Sequence, residues 1–405
     1  MSELATATCV IRFAVDDDGN TQVELLLNEQ IVSFLTIIPL TIAIGCARVT
    51  VAGIGGVETV ETQRKKGYSR QVLEAGIQHM RQGPAALSML YGIPDFYPKF
   101  GFATAGPEYA LQLRSLARPA VGPAGWTMRC ARTDDVPVIH QLYEQYTTQA
   151  VGAVLRSPTG HVWSTLDALT TGADAAETDE CRVVISPSGT VEGYAWRGKH
   201  FWPVTSDFES EYPNSLVIGE VMAITTPASE AVLAVCRAWG AQATTAKGDP
   251  VNAVVLSLPP EGPIYAASLR QDARLLTSSG PAENFMARTL DVARLLQALE
   301  PELTTRRRTV PAPPGASLRL ETEIGAATLN IANDGVSVDT AVATAQRPSM
   351  TLRLPQTELM RLPLGALPPT DILDRLEVPP DDRTRAIMEG LFPQRHPYLH
   401  LPARI

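Results

Sequence analysis

Apolar and polar positions alternate with a period of two through most of the first sixty residues. That spacing puts one face of each segment toward a core and predicts a run of strands. The segments are 9–15, 22–27, 31–38 and 47–54. Asp16-Asp17-Asp18-Gly19-Asn20 and Asn28-Glu29-Gln30 read as the turns between them, and Gly45-Cys46 as the next. Pro39 fits a bulge or an edge. After Gly67 the period lengthens to that of a helix. Tyr68, Val72 and Ala75 share one stripe, with Leu73, Ile77 and Met80 beside them, to about Arg81. Gln82-Gly83-Pro84 is a stop.

The same reading continues down the chain. A buried strand is expected at 86–90, broken by Tyr91-Gly92-Ile93-Pro94, then a short helix at 96–100. The segment 109–113 reads as the last strand of this first unit, before a Pro- and Gly-rich linker at 118–125. A strand, a Thr or Asp cap and an amphipathic helix then restart the plan at 128–143. A hairpin follows at 182–185 and 191–196, a strand at 216–224 and a helix at 227–239. By composition 304–316 is a linker, and Arg306 to Arg308 a solvated charge run within it. Strands at 318–323, 327–331, 336–339 and 350–354, with a turn at Asn333-Asp334-Gly335, precede short helices at 356–362 and 368–376.

A chain of 405 residues has room for about two or three domains. Its 45% hydrophobic and 19% charged content is that of a globular protein. The net charge of −9 argues against nucleic-acid binding and is compatible with a cationic substrate or with solubility alone. Five scattered cysteines without C-x-x-C spacing, and histidines without ligand spacing, predict a reducing compartment and no metal site. The apolar stretch 31–44 is short and interrupted, so paired strands are expected there rather than a membrane span. No signal peptide is expected from the first residues.

Between the strand pattern and the helix lies Gln63-Arg64-Lys65-Lys66-Gly67. A helix start offers unpaired backbone N–H groups and the positive end of a dipole. Cations gathered there oppose that dipole, and a bound anion resolves the conflict. Gly67 permits close approach of the backbone. The plainer alternative is a solvated helix start.

Gln63-Arg64-Lys65-Lys66-Gly67-Tyr68 resembles the acetyl-CoA pyrophosphate loop of the GNAT acetyltransferase superfamily, Gln/Arg-x-x-Gly-x-Gly/Ala, with the last small residue falling on Ser69 or Tyr68. Leu90 to Phe102 resembles the last strand–helix unit of that fold, ending in F-Y-x-x-F-G-F. In form the pair is closest to the enhanced-intracellular-survival family of aminoglycoside and lysine acetyltransferases. The resemblance implies an α/β (α+β) fold with two tandem GNAT-like domains, over 1–120 and 126–300, and a sterol-carrier-like α+β domain over 316–405. The first would lack the usual pair of N-terminal helices, for which too few residues precede the strands. The second copy's loop, Thr225-Thr226-Pro227-Ala228-Ser229, has no basic residue and no glycine, so no cofactor of its own is expected there.

By the same resemblance, Val57, Glu58 and Thr59 hold the pantetheine arm of acetyl-CoA. Lys65, Lys66, Gly67, Tyr68, Ser69 and Arg70 hold its pyrophosphate, and Gly92 and Ile93 pack further along. Tyr97 is the proton donor to the leaving thiolate, the alternative being an aromatic packed beside Phe96, Phe100 and Phe102; Tyr91 is a second tyrosine nearby. The base is the C-terminal carboxylate of Ile405, with Glu58 as runner-up. Trp126, Trp163, Trp196 and Trp202 are candidates for an acceptor cleft or for core. The activity implied is acetyl-CoA-dependent N-acetylation of a primary amine on a polycation or lysine side chain, in a cytoplasmic homo-oligomer, possibly a hexamer. The competing classes are a non-catalytic acyl-CoA or lipid carrier and an assembly protein.

Overall fold

The structure, a computed structural model, describes residues 9–93, 95–116, 122–148, 150–157, 179–198, 210–245, 247–280, 284–311, 313, 315–340 and 348–403. The chain folds into two units that cut across the expected ranges. One joins the stretch up to Gly106 to 280–395, and the other joins 107–279 to the C-terminal segment from His396.

In the first unit, β1 (Cys9–Val15), β2 (Thr21–Leu27), β3 (Gln30–Ile44) and β4 (Ala47–Thr59) form an antiparallel meander. Asn28 and Glu29, both at positive φ (50° and 67°), make the β2–β3 turn, a backbone twist that suits a two-residue hairpin. β3 runs further than its apolar alternation predicts, and Pro39 sits opposite Ala52, beyond the last β3 residue paired with β2. The chain then forms helix α1 (Tyr68–Gln82) and returns as β5 (Leu87–Gly92), parallel to β4. Parallel strands need such a crossover connection, usually a helix. Val72, Leu73, Ile77 and Met80 of α1 bury against Val23, Leu25, Leu35 and Ile54 of the sheet. Each such side chain taken from water contributes roughly 1.5–3 kcal/mol.

The strand that completes this sheet comes from far along the chain. Asn284–Thr289 lies antiparallel between β5 and Ala103–Thr104. Glu108–Leu113, expected as the last strand of the first domain, belongs instead to the second unit and pairs there with Ala253–Leu256 and Ala273–Ser278. Apolar patterning marks a strand but carries no information on its partner.

The helix Val292–Arg306 overturns the linker expected from residue 304, and Arg306 is not solvated. Its Nε donates to Glu302 at 2.7 Å and its Nη1 to the Leu391 carbonyl at 2.8 Å. Glu302 also accepts from the Cys46 N–H at 2.8 Å. Downstream, a four-stranded sheet runs Val336–Asp339, Gly325–Ile331, Ala316–Thr322, Met350–Arg353, the last two parallel. The helices Gln356–Leu364, Pro369–Leu373 and Asp382–Leu391 follow. The third was missed from the sequence, although Asp381, after two prolines, caps it by accepting from Thr384 N–H at 2.7 Å.

The second unit holds two four-stranded sheets. The single strand expected at 216–224 is two strands in different sheets, Ser215–Ile218 and Glu220–Ala223. Gly219 sits at the break, where an added Cβ would stand 3.0 Å from the Cα of Gly198. Thr226–Gln242 packs across this core. Trp196 is wholly buried beside Tyr143 and Tyr194 and belongs to the core, not to an open cleft, whereas Trp126 is partly buried against the core. Trp163 and Trp202 lie outside the described residues.

Candidate functional site

β4 and β5 begin side by side and then part. Their ladder runs from Val51↔Leu87 to Gly53↔Met89 and ends there, while β4 continues to Thr59 and β5 to Gly92. Beyond Gly53, β4 stays paired to β3, through Ile54↔Ile37 and on to Thr59↔Ser33. The register shifts between Phe34↔Glu58 and Thr36↔Gly55, so β4 carries an extra residue, a bulge, at this point. Gly56 is at φ 57°, a left-handed conformation that would cost another residue roughly 1–2 kcal/mol. The bulge lies just past the point where the β4–β5 ladder ends.

β4 ends in the cationic loop. After the turn Glu61–Gln63, Lys65 adopts φ 65° and Gly67 φ 81°. Gly67 is the N-cap of α1, and among the described residues no side chain caps the helix there and nothing lies within 4 Å of where its Cβ would be. α1 therefore begins with its first N–H groups open. The helix Thr226–Gln242 of the second unit begins differently: the Thr225 hydroxyl accepts from the Ala228 N–H at 3.3 Å and caps it.

Arg64, Lys65, Lys66 and Arg70 are exposed, and none has a carboxylate partner among the described residues. Lys66 Nζ donates to Gln63 at 2.7 Å and Arg64 Nε to the Thr59 carbonyl at 3.3 Å, contacts that hold the loop without neutralising it. Val57 and Tyr68 lean on the core, whereas Glu58 is exposed. The hydroxyls of Thr59 and Ser69 bond each other at 2.6 Å, and Ser33 reaches both Thr59 (2.8 Å) and the Glu58 carbonyl (2.8 Å). This chain of hydroxyls ties β3, the end of β4 and the first turn of α1 together. Ser33 and Gly56 were not singled out from the sequence. The run Gly53-Ile54-Gly55-Gly56 in a strand was the available signal for the bulge.

Tyr97 opens the short helix Tyr97–Phe100 and is 7% exposed. Its ring meets Phe96 edge-on at 5.0 Å and Phe102 at 6.1 Å. Its hydroxyl has no hydrogen-bond partner among the described residues. Burial raises the phenol pKa above the ordinary value, so the group stays protonated. At the end of β5, a Cβ on Gly92 would come within 2.9 Å of the Tyr97 ring and 2.6 Å of Met286 Sδ. Only glycine lets the parted strand pass so close. Ile93, next along, is 64% exposed. Gly92, Ile93 and Tyr97 are thus together beside β5. Ile405 lies outside the described residues. The segment leading to it is buried in the second unit: Tyr398 N–H donates to the Val151 carbonyl at 2.8 Å, and Leu401 packs with Ala110, Val217 and Val255.

Comparison with known proteins gives this arrangement a context. Residues 18–105 match the acetyltransferase (GNAT) domain family. No curated protein sequence matches the chain. Among solved structures, the chain is similar to a conserved protein from Enterococcus faecalis described as a probable N-acyltransferase, with TM-score 0.67 and 18% identity over 94% of this chain and 88% of that one. It is also similar to a GCN5-related N-acetyltransferase from Anabaena variabilis (TM-score 0.66, 17% identity, 93% and 88%). Eis1 from Mycobacterium abscessus resembles it as well (TM-score 0.60, 16% identity, 95% and 90%). At such identities the likeness is one of fold. Residues 18–105 thus carry an acetyltransferase (GNAT) domain, and acetyltransferases of that kind draw their acetyl group from acetyl-CoA.

Proposed function

We propose that the protein transfers the acetyl group of acetyl-CoA directly to a primary amine, on a polycationic small molecule or a lysine side chain. The observation that carries this reading is the parting of β4 and β5 at Gly53 and Met89, with an uncapped cationic helix start at one end and Tyr97 beside the other. Lys65, Lys66 and Arg70, with the N–H groups after Gly67, hold the diphosphate. The free edge of β4 at Val57 to Thr59 pairs with the pantetheine amides, and Gly92 and Ile93 flank it. The amine nitrogen forms a bond to the thioester carbonyl carbon, and the C–S bond breaks. Tyr97 gives its proton to the departing thiolate. Orienting the two reactants supplies much of the acceleration.

An ammonium of pKa about 10.4 must first lose a proton. By family resemblance the base is the α-carboxylate of Ile405. Glu58, exposed on β4, is the second candidate and also attracts a cationic acceptor. A turn at 16–20 joins β1 directly to β2, with no helix between them. We further read the segment 316–405 as the sterol-carrier-like domain, and the assembly as a cytoplasmic hexamer, both on the resemblance. Among the described residues no helix is long and apolar enough to cross a membrane.

Thiol release from acetyl-CoA, measured across polyamines, aminoglycosides and lysine peptides, tests the reading. Acetyl-CoA binding without thiol release for any amine would defeat it. Changing Lys65 and Lys66 together to alanine is expected to weaken acetyl-CoA binding about tenfold, as a screened pair of charge-assisted contacts would. Calorimetry at two salt concentrations checks this. The wild type should lose affinity with salt more steeply than the variant.

A further inference from the structure

A second feature of the first unit lies away from the parted strands. A cleft of about 610 Å³ is bordered by the C-terminal half of α1, residues 99–101, Arg288, Glu323 and Gln356. At roughly 1.5 Å per residue, Arg81 is about 20 Å along α1 from Gly67. Arg288 pairs with Ser88, at the opposite end of β5 from Gly92. The diphosphate loop and this cleft are separate places.

Arg288 is the unusual group. It is 8% exposed, sits over the Phe102 ring at 5.8 Å and lines the cleft. Its Nη1 donates to the Phe100 carbonyl, but its Nε is buried without an acceptor, and no carboxylate pairs with it among the described residues. A buried guanidinium without a counter-charge is unfavourable. Burial and then the neighbouring Arg81 push its pKa down to about 10, which Glu323 only partly offsets. Two more cations, Arg81 and Lys99, border the same cleft, both exposed and, among the described residues, without carboxylate partners. Against these three stand Glu74 and Glu323, and Glu323 already accepts from the Gln356 N–H at 3.0 Å.

We propose that this cleft binds a small oxyanion, the phosphate or carboxylate head of an anionic ligand, with Arg288 at its floor and Arg81 and Lys99 at its rim. A planar guanidinium presents paired donors to such a group. The floor is shared with the helix of Tyr97, since Arg288 and Gln356 hold the carbonyls of Phe100 and Gly101.

The test is calorimetric titration of the full chain with inorganic phosphate and, separately, succinate, at constant ionic strength and with CoA saturating. CoA blocks the diphosphate loop. Saturable binding of either anion is expected, and which one binds identifies the head group. Binding should persist in the Lys65→Ala/Lys66→Ala variant. In Arg81→Ala/Lys99→Ala, two exposed positions whose loss leaves the unliganded melting temperature unchanged, it should weaken at least about tenfold. Arg288→Gln should weaken it further. Absence of saturable binding for both anions with CoA present, or equal affinity in Arg81→Ala/Lys99→Ala, would overturn the proposal.

Discussion

Tyr97→Phe is expected to lower kcat for acetyl transfer by about 10²–10⁴-fold, the usual contribution of a positioned proton donor, with the acetyl-CoA KM nearly unchanged. Phenylalanine keeps the ring contacts with Phe96, Phe102 and Gly92 and removes only a hydroxyl that bonds no described residue. The folded state should therefore change by no more than about 0.5 kcal/mol. A loss confined to kcat would mark an interaction made in the transition state. The raised phenol pKa sets the pH signature. The protonated form prevails at and below the ordinary tyrosine value and is lost only as pH rises through the higher folded value. Tyr97 should thus impose no fall in activity between neutral pH and about pH 10. Tyr91→Phe is the control, since Tyr91 stacks on Phe285 at 6.1 Å and is expected to leave kcat within a few-fold. A Tyr97→Phe enzyme with wild-type kcat would exclude Tyr97 as donor and leave the packing role alone.

Breaking the buried pair of the second unit should have the largest effect on stability. Arg156 and Glu220 are 4% and 0% exposed and joined by two hydrogen bonds, the longer at 3.0 Å. Glu220 also accepts from the Tyr194 hydroxyl at 2.6 Å, and the guanidinium lies 3.8 Å over the Tyr143 ring. Arg156→Leu strands the Glu220 carboxylate in the core and is expected to lower the unfolding free energy by about 3–5 kcal/mol. Arg156→Leu/Glu220→Leu should recover most of that loss, because two apolar groups leave no buried charge. Urea unfolding of the three chains decides it, and a single variant within about 1 kcal/mol of wild type would refute the account. The pair also has a pH signature. Burial alone would raise the Glu220 pKa, but Arg156, then His400 and Tyr194, outweigh it and hold the group below the ordinary glutamate value. Its contribution is complete above the unfolded value of about 4.3 and disappears as pH falls through the lower folded value.

Much of this was legible in the chain itself. The strands 9–15 and 336–339 have the predicted bounds, because alternation and turn residues are local signals. The loop chemistry around Gly67 was equally local: cations, a glycine and a helix period lie within a few residues of each other. The fault lines fell where distant segments meet. The apolar run 216–224 gave no sign that Gly219 would send its halves to different sheets. The basic run at 306–308 looked solvated, yet Arg306 is buried, because Glu302 and the Leu391 carbonyl supply its partners.

By itself, then, the amino-acid sequence determined where most of the strands of the first unit lie and where a cationic, glycine-led helix start stands. Those depend on neighbours one to four residues away. Tertiary structure alone decided that Asn284–Thr289 joins β5 while Glu108–Leu113 goes elsewhere, and that Gly92 must give way to the Tyr97 ring. It alone left Arg288 buried without a carboxylate partner among the described residues. Strand pairing, close approach and the pairing of buried charge are set by residues far apart in sequence, which no local pattern encodes.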